Sequence, residues 1–145
     1  MKKLLPQANN LDTIVKAFIY YGNKKNCTLD DVAHFCNFEV RQASYYINAC
    51  GYLNLISEDG QITKLGNDIL DDSEHIRDRI YELIISDELI GRIFAHFCFF
   101  REDNDFVVSL LKEKYPDYSD AVILRRASTM RHWCEEIYSY IYQSN

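Results

Sequence analysis

Tyr52-Leu53-Asn54-Leu55-Ile56-Ser57-Glu58-Asp59-Gly60-Gln61-Ile62-Thr63-Lys64 is the stretch on which the fold turns. Tyr52 to Ser57 is short, largely apolar and followed by polar residues, which is a strand signal. Asp59-Gly60 is a strong hairpin signal, because tight two-residue turns need the positive φ that glycine takes without strain. Gln61 to Lys64 then reads as the returning strand. Leu65-Gly66 and Asn67 to Leu70 close the unit.

Upstream of this hairpin the periodicity is helical. Leu11, Ile14, Val15, Phe18 and Ile19 recur at helical spacing and predict a first helix over 10–21. Gly22-Asn23 stops it. Thr28 is a candidate N-cap, with Asp31 three residues on as a variant capping box. Leu29, Val32, Ala33 and Cys36 form the buried stripe of a short second helix. Asn37-Phe38 is a tight turn, and a third helix spans 39–50, ended by Gly51. Three helices and a two-stranded hairpin, in that order, predict a mainly α fold, a winged helix-turn-helix with a small β-hairpin wing, over 1–72.

Downstream, Asp71-Asp72-Ser73 is a polar joint. Helices are expected from about Ser73 to Ser86, over 88–99, over 106–114 and over 120–142, with Pro116 ending the third of these. The last carries the stripe Ile123, Ala127, Met130, Cys134, Ile137 and Ile141. Residues 73–145 are therefore expected to form a second helix-turn-helix-like helical unit packed on the first, with no evident wing.

An internal repeat links the two units. Arg41-Gln42-Ala43-Ser44-Tyr45-Tyr46-Ile47-Asn48-Ala49-Cys50 matches Arg125-Arg126-Ala127-Ser128-Thr129-Met130-Arg131-His132-Trp133-Cys134 at its Arg, Ala, Ser and final Cys. Each segment is the third helix of its group. On a helical wheel Val40, Ala43, Ile47 and Cys50 point inward. Arg41, Ser44, Tyr45 and Asn48 share the outer face, with Gln42 at its edge. The equivalent face of the later segment is Arg125, Ser128, Thr129 and His132, with Arg126 at its edge. Neither face holds a carboxylate. Arg pairs bidentately with guanine and Asn or Gln with adenine, while Ser, Thr and Tyr hold phosphate oxygens. A helix lying in a major groove needs this combination. The plainer reading is a pair of solvated helix faces, but such faces usually mix Glu with Lys and Arg. Tyr45 is expected exposed, Tyr46 partly buried, and Trp133 in the core. Lys64, after the hairpin, is either a wing contact to the DNA backbone or an ordinary surface lysine.

The run Arg41 to Ile56, followed by Ile62-Thr63-Lys64-Leu65-Gly66, resembles the winged-helix segment of bacterial type II restriction-modification proteins. Arg125-Arg126-Ala127-Ser128-Thr129-Met130-Arg131-His132-Trp133 is similar to the Arg-Arg-x-x-Thr-x-x-x-Trp element that often follows it there. The resemblance covers roughly residues 11–142. It implies that Arg41, Gln42, Tyr45, Arg125, Arg126, Thr129 and Arg131 contact DNA, and that a nuclease domain or subunit accompanies them. Asn54 departs from the pattern, which usually has Gly at that position.

Composition bounds the function. The chain has 145 residues, 48% apolar and 26% charged, a mixture able to build a core. No apolar run approaches the roughly 20 residues that span a bilayer, and Met1 to Pro6 is not a secretory signal. A cytoplasmic protein is expected. The formal net charge of −6 works against duplex binding, which depends on cations neutralising phosphates. The acidic residues cluster at 71–74 and 102–105, away from both outer faces.

No cofactor motif is present. The five cysteines contain no C-x-x-C pair. His34-Phe35-Cys36 and His96-Phe97-Cys98 could together offer four metal ligands, yet residues two apart on a helix point about 200° apart. Small buried thiols are the better reading. There is no metal-nuclease cluster, glycine-rich phosphate loop or nucleophile elbow. The four histidines have no Ser, Cys or Asp constellation and no catalytic motif is found, which leaves open both a complete protein and the N-terminal, DNA-recognition fragment of a longer restriction endonuclease. The expected partner is double-stranded DNA, bound by a sequence-specific recognition module, with a homodimer also open. The competing reading is a protein-interaction or dimerisation module, favoured by the acidic charge and by tyrosines and phenylalanines that make good interface anchors. A transcription regulator is a variant of the first reading.

Overall fold

Asn10, Thr28 and Thr63 each accept a backbone N–H three residues on, and each starts a helix. The computed structural model describes residues 3–143. Among these residues the order is α1 (Leu11–Asn23), α2 (Leu29–Cys36), α3 (Val40–Tyr52), α4 (Lys64–Asp71), α5 (Ile76–Ser86), α6 (Glu88–Phe99), α7 (Asn104–Lys114) and α8 (Asp120–Gln143). There is no strand among them.

The chain divides into two compact units between Leu83 and Ile84, inside α5. This boundary lies beyond the polar joint at 72/73, and the start of α5 is tied to the first unit. Arg77 pairs with Asp12 of α1. Arg79 donates to the Asp68 carbonyl at 3.1 Å and lies 3.7 Å from the Asp72 carboxylate.

In the first unit α1, α2 and α3 pack on one another, and α4 touches α1. Leu11, Ile14 and Phe18 of α1 are fully buried, with Val32 of α2 and Ala43, Ala49 and Cys50 of α3. Full burial of a large apolar side chain contributes roughly 1.5–3 kcal/mol. Both α2 and α3 end on asparagines in the left-handed region, Asn37 at φ 57° and Asn54 at φ 62°. At α2, Phe38 N–H donates to Ala33 O at 2.8 Å and Asn37 N–H to His34 O at 3.3 Å. At α3, Leu55 N–H donates to Cys50 O and Asn54 N–H to Gly51 O, each at 3.0 Å. These paired bonds are Schellman closures, which satisfy the last carbonyls of a helix. Asn tolerates the position that glycine otherwise fills, which accounts for Asn54.

The expected wing is absent. α3 continues through Gly51 to Tyr52, so no strand begins there. The turn at Asp59-Gly60 does form. Gly60 adopts φ 83°, and its N–H donates to Ser57 O at 3.0 Å. Only one antiparallel bridge follows, Ile56 to Ile62. Thr63 ends the pairing. Its hydroxyl donates to Asn54 O at 2.6 Å and accepts from Gly66 N–H at 2.9 Å. The returning arm is thereby capped into α4, and a two-stranded β-hairpin has no residues left from which to grow. The fold is mainly α without the wing.

In the second unit α8 packs against α6 and α7. Ile123, Ala127, Met130, Cys134 and Ile137 are buried as the stripe requires, whereas Ile141 at the helix end is 37% exposed. Thr129 and Trp133 are buried as well, a second row that reflects two helices covering α8.

The α2 cap gives a measurable expectation. Thr28 Oγ1 accepts from Asp31 N–H at 3.2 Å, and Asp31 Oδ2 accepts from Thr28 N–H at 2.9 Å. Thr28→Ala should cost about 1 kcal/mol in urea unfolding. The Thr28 backbone N–H, then its side chain and Lys24, hold the Asp31 carboxyl below the usual carboxylate range. A carboxyl depressed by folding stabilises above its unfolded pKa and loses that contribution as pH falls through the folded value. The thermal midpoint should therefore drop in acid, and Asp31→Asn should flatten part of that drop.

Candidate nucleic-acid interface

α3 contains no Asp or Glu among its thirteen residues. Arg41, Gln42 and Asn48 are exposed, and Ser44 and Tyr45 are half-buried. Arg41 Nε donates to Tyr45 Oη at 2.8 Å, one helical turn on, and its guanidinium carbon lies 5.9 Å from the Tyr45 ring centroid. Tyr45 is therefore less exposed than expected, because it braces the arginine. With Nε engaged, the two terminal nitrogens remain as the fork that matches guanine or phosphate. Ser44 Oγ donates to the Arg41 carbonyl at 2.6 Å, so its hydroxyl is partly turned inward along the helix. Gln42 Oε1 accepts from Glu39 N–H at 3.3 Å, which places Gln42 in the cap and leaves its amide nitrogen as donor. Tyr46 is buried and stacks on Phe38 with centroids 5.1 Å apart.

The α8 candidates divide. Arg125, Ser128 and His132 are exposed, and Arg126 is half-buried. Thr129 is only 3% exposed and its hydroxyl donates to Arg125 O at 3.2 Å, so it does not belong to the outer face. Arg131 Nη2 donates to the Arg101 carbonyl at 3.0 Å and sits 3.9 Å from Glu135. It anchors the loop before α7. Ser128, Arg131, His132 and Glu135 line, with Asn104 and Leu124, a shallow pocket of about 260 Å³. The face extended to Glu135 is not free of carboxylates. Lys64 is exposed at the first position of α4, and with no hairpin it is not a wing residue.

A family model described as "Domain of unknown function (DUF7226)" matches residues 15–142, which runs through both units. The chain belongs to this family. No curated protein and no solved structure matches it.

This DUF7226 chain holds no activated thiol among its cysteines. Burial pushes Cys50 and Cys134 up to about 12 and raises Cys27, Cys36 and Cys98 as well. Thiols raised in this way are protonated at neutral pH and poor nucleophiles. Among the described residues no group of three or more His, Cys, Asp or Glu side chains could hold a metal ion. His96 instead stacks on Phe106, centroids 3.9 Å apart, and bonds Asp103 Oδ2 at 2.9 Å. That contact ties the end of α6 to the cap of α7.

One feature of the DUF7226 fold escaped sequence reasoning. Lys16, Ile19, Tyr20 and Asn23 of α1 and its C-cap Lys24 form a groove with Phe35 of α2, about 540 Å³ in volume. Lys16, Ile19, Tyr20 and Asn23 recur at i, i+3, i+4 and i+7, a spacing legible in the sequence. Phe35 joins them only through the packing of α2.

Proposed function

We propose that the chain binds double-stranded DNA, with α3 as the element that meets the major groove. The observation that carries this reading is the acid-free surface of α3, on which a tyrosine-braced arginine stands beside Gln42 and Asn48. Arg41 would read a guanine edge or clamp a phosphate, and Asn48 would pair with adenine or the backbone. Of the two repeat copies α3 is the better supported, because Thr129 is buried and Arg131 is held in α8. The resemblance of residues 41–66 and 125–133 to restriction-modification proteins supports a recognition role in such a system, or in related defence, with the nuclease chemistry supplied elsewhere.

The test is selection from a randomised duplex library, followed by anisotropy titration of the enriched sequence. Arg41→Ala should weaken binding by ~1–3 kcal/mol, and Arg41→Lys should restore less than the full loss if the contact is bidentate. Binding should weaken with salt, and shallowly, because one helix neutralises few phosphates. No enrichment, with wild type and Arg41→Ala retained equally on duplex DNA in low salt, removes the proposal.

A further inference from the structure

The groove between α1 and α2 is built around a flat aromatic pair. The Tyr20 and Phe35 rings stack with centroids 4.2 Å apart and planes 11° from parallel. Lys24 Nζ lies 5.9 Å from the Tyr20 centroid, which puts a cation beside the aromatic pair. Phe35 is 49% exposed, a large apolar area for a helix of eight residues to leave in water.

The rim is cationic. Lys16 lies on α1 and Lys24 is the residue that caps its C-terminal end. Each has a local carboxylate, Lys16 with Asp12 at 2.9 Å and Lys24 with Asp31 at 3.6 Å. Asp12 is also paired with Arg77, so Lys16 shares its carboxylate with a second cation. Asn23, between the lysines, presents an amide that both donates and accepts.

We infer that this groove takes an unpaired base of single-stranded nucleic acid, stacked on the Phe35–Tyr20 pair with its phosphate beside Lys16 or Lys24. A planar aromatic floor, a cationic rim and one bifunctional amide are what a base and its phosphate need. The volume accommodates a base with its sugar. The inference stands apart from the duplex reading, since none of its residues lies on α3.

The experiment titrates the full chain into a fluorescein-labelled single-stranded oligonucleotide and reads anisotropy. Wild type should bind, and Phe35→Ala should weaken binding about five- to a hundredfold, the range for loss of one stacked base. Phe35→Tyr, which keeps the ring, should bind as wild type. Lys16→Ala with Lys24→Ala should lower the salt slope by about one. Circular dichroism of each variant confirms that α1 and α2 persist. Phe35→Ala should leave duplex retention unchanged, so loss of single-strand binding alone is distinct from failure of the α3 reading. Equal single-strand affinity of wild type and a folded Phe35→Ala overturns the inference. So does Phe35-dependent binding of an acidic, tryptophan-bearing peptide when the oligonucleotide does not bind.

Discussion

Gly66→Ala should destabilise the first unit by about 2–3 kcal/mol, the upper part of the range for overpacking. Helix propensity alone predicts the opposite sign, since Ala is favoured over Gly in a helix by about 1 kcal/mol. The reversal comes from what lies against Gly66. A methyl group there would overlap the Leu55 carbonyl oxygen and come within 2.9 Å of Ile62 Cγ2. Leu55 O already accepts Thr63 N–H at 3.1 Å, so it cannot move without loosening the cap of α4. The close approach exists because residues 55–63 fold back as a bridge and then a helix. A two-stranded wing would leave this position in an open turn, where alanine is nearly neutral. Urea unfolding followed by circular dichroism distinguishes the two. An unchanged or raised midpoint would contradict the close packing of α4 on the bridge.

The same segment explains why the sequence misleads where it does. Asp59-Gly60 flanked by Ile56 and Ile62 carries every local signal of a hairpin, and the turn does form. What stops it is Thr63, whose hydroxyl reaches back to the Asn54 carbonyl and forward to Gly66 N–H. The backward bond depends on the closure of α3 at Asn54, a tertiary fact that strand propensity does not contain. Helix starts were legible because their signals are local: Thr28 and Asp31 are three residues apart and make the two bonds that the pattern implies. Asn37 likewise marks a real left-handed stop.

The candidate interface follows the same division. Arg41 and Tyr45 are one turn apart, so their juxtaposition could be read from spacing, although the hydrogen bond that turns Tyr45 from free contact into brace could not. A single buried stripe on α8 leaves Thr129 on the outer face. Two covering helices bury a second row, Thr129 and Trp133, four residues apart. The Tyr20–Phe35 groove joins residues from two helices and has no linear signature.

Trp133→Ala should cost the second unit about 3–5 kcal/mol, the range for truncating a buried Phe or Trp. Trp133 is 0% exposed and the largest of the fully buried side chains. It lies in the second buried row of α8, near the middle of a helix of 24 residues. A small protein is stable by only about 5–15 kcal/mol, so the loss is a large part of the whole. It is also the one tryptophan in the chain, which makes the wild type its own probe. Its emission should be blue-shifted and resist acrylamide quenching, then shift red in a single step when α8 unfolds. Trp133→Phe, which keeps most of the apolar volume, should cost clearly less. The outcome matters for the interface, because Arg125, Ser128 and His132 stay exposed only while the buried rows of α8, Trp133 on their flank included, are held inward. If Trp133 is readily quenched in the native protein, or if Trp133→Ala unfolds at the wild-type urea midpoint, α8 is not anchored by this row. Those three side chains would then lack a fixed outward face.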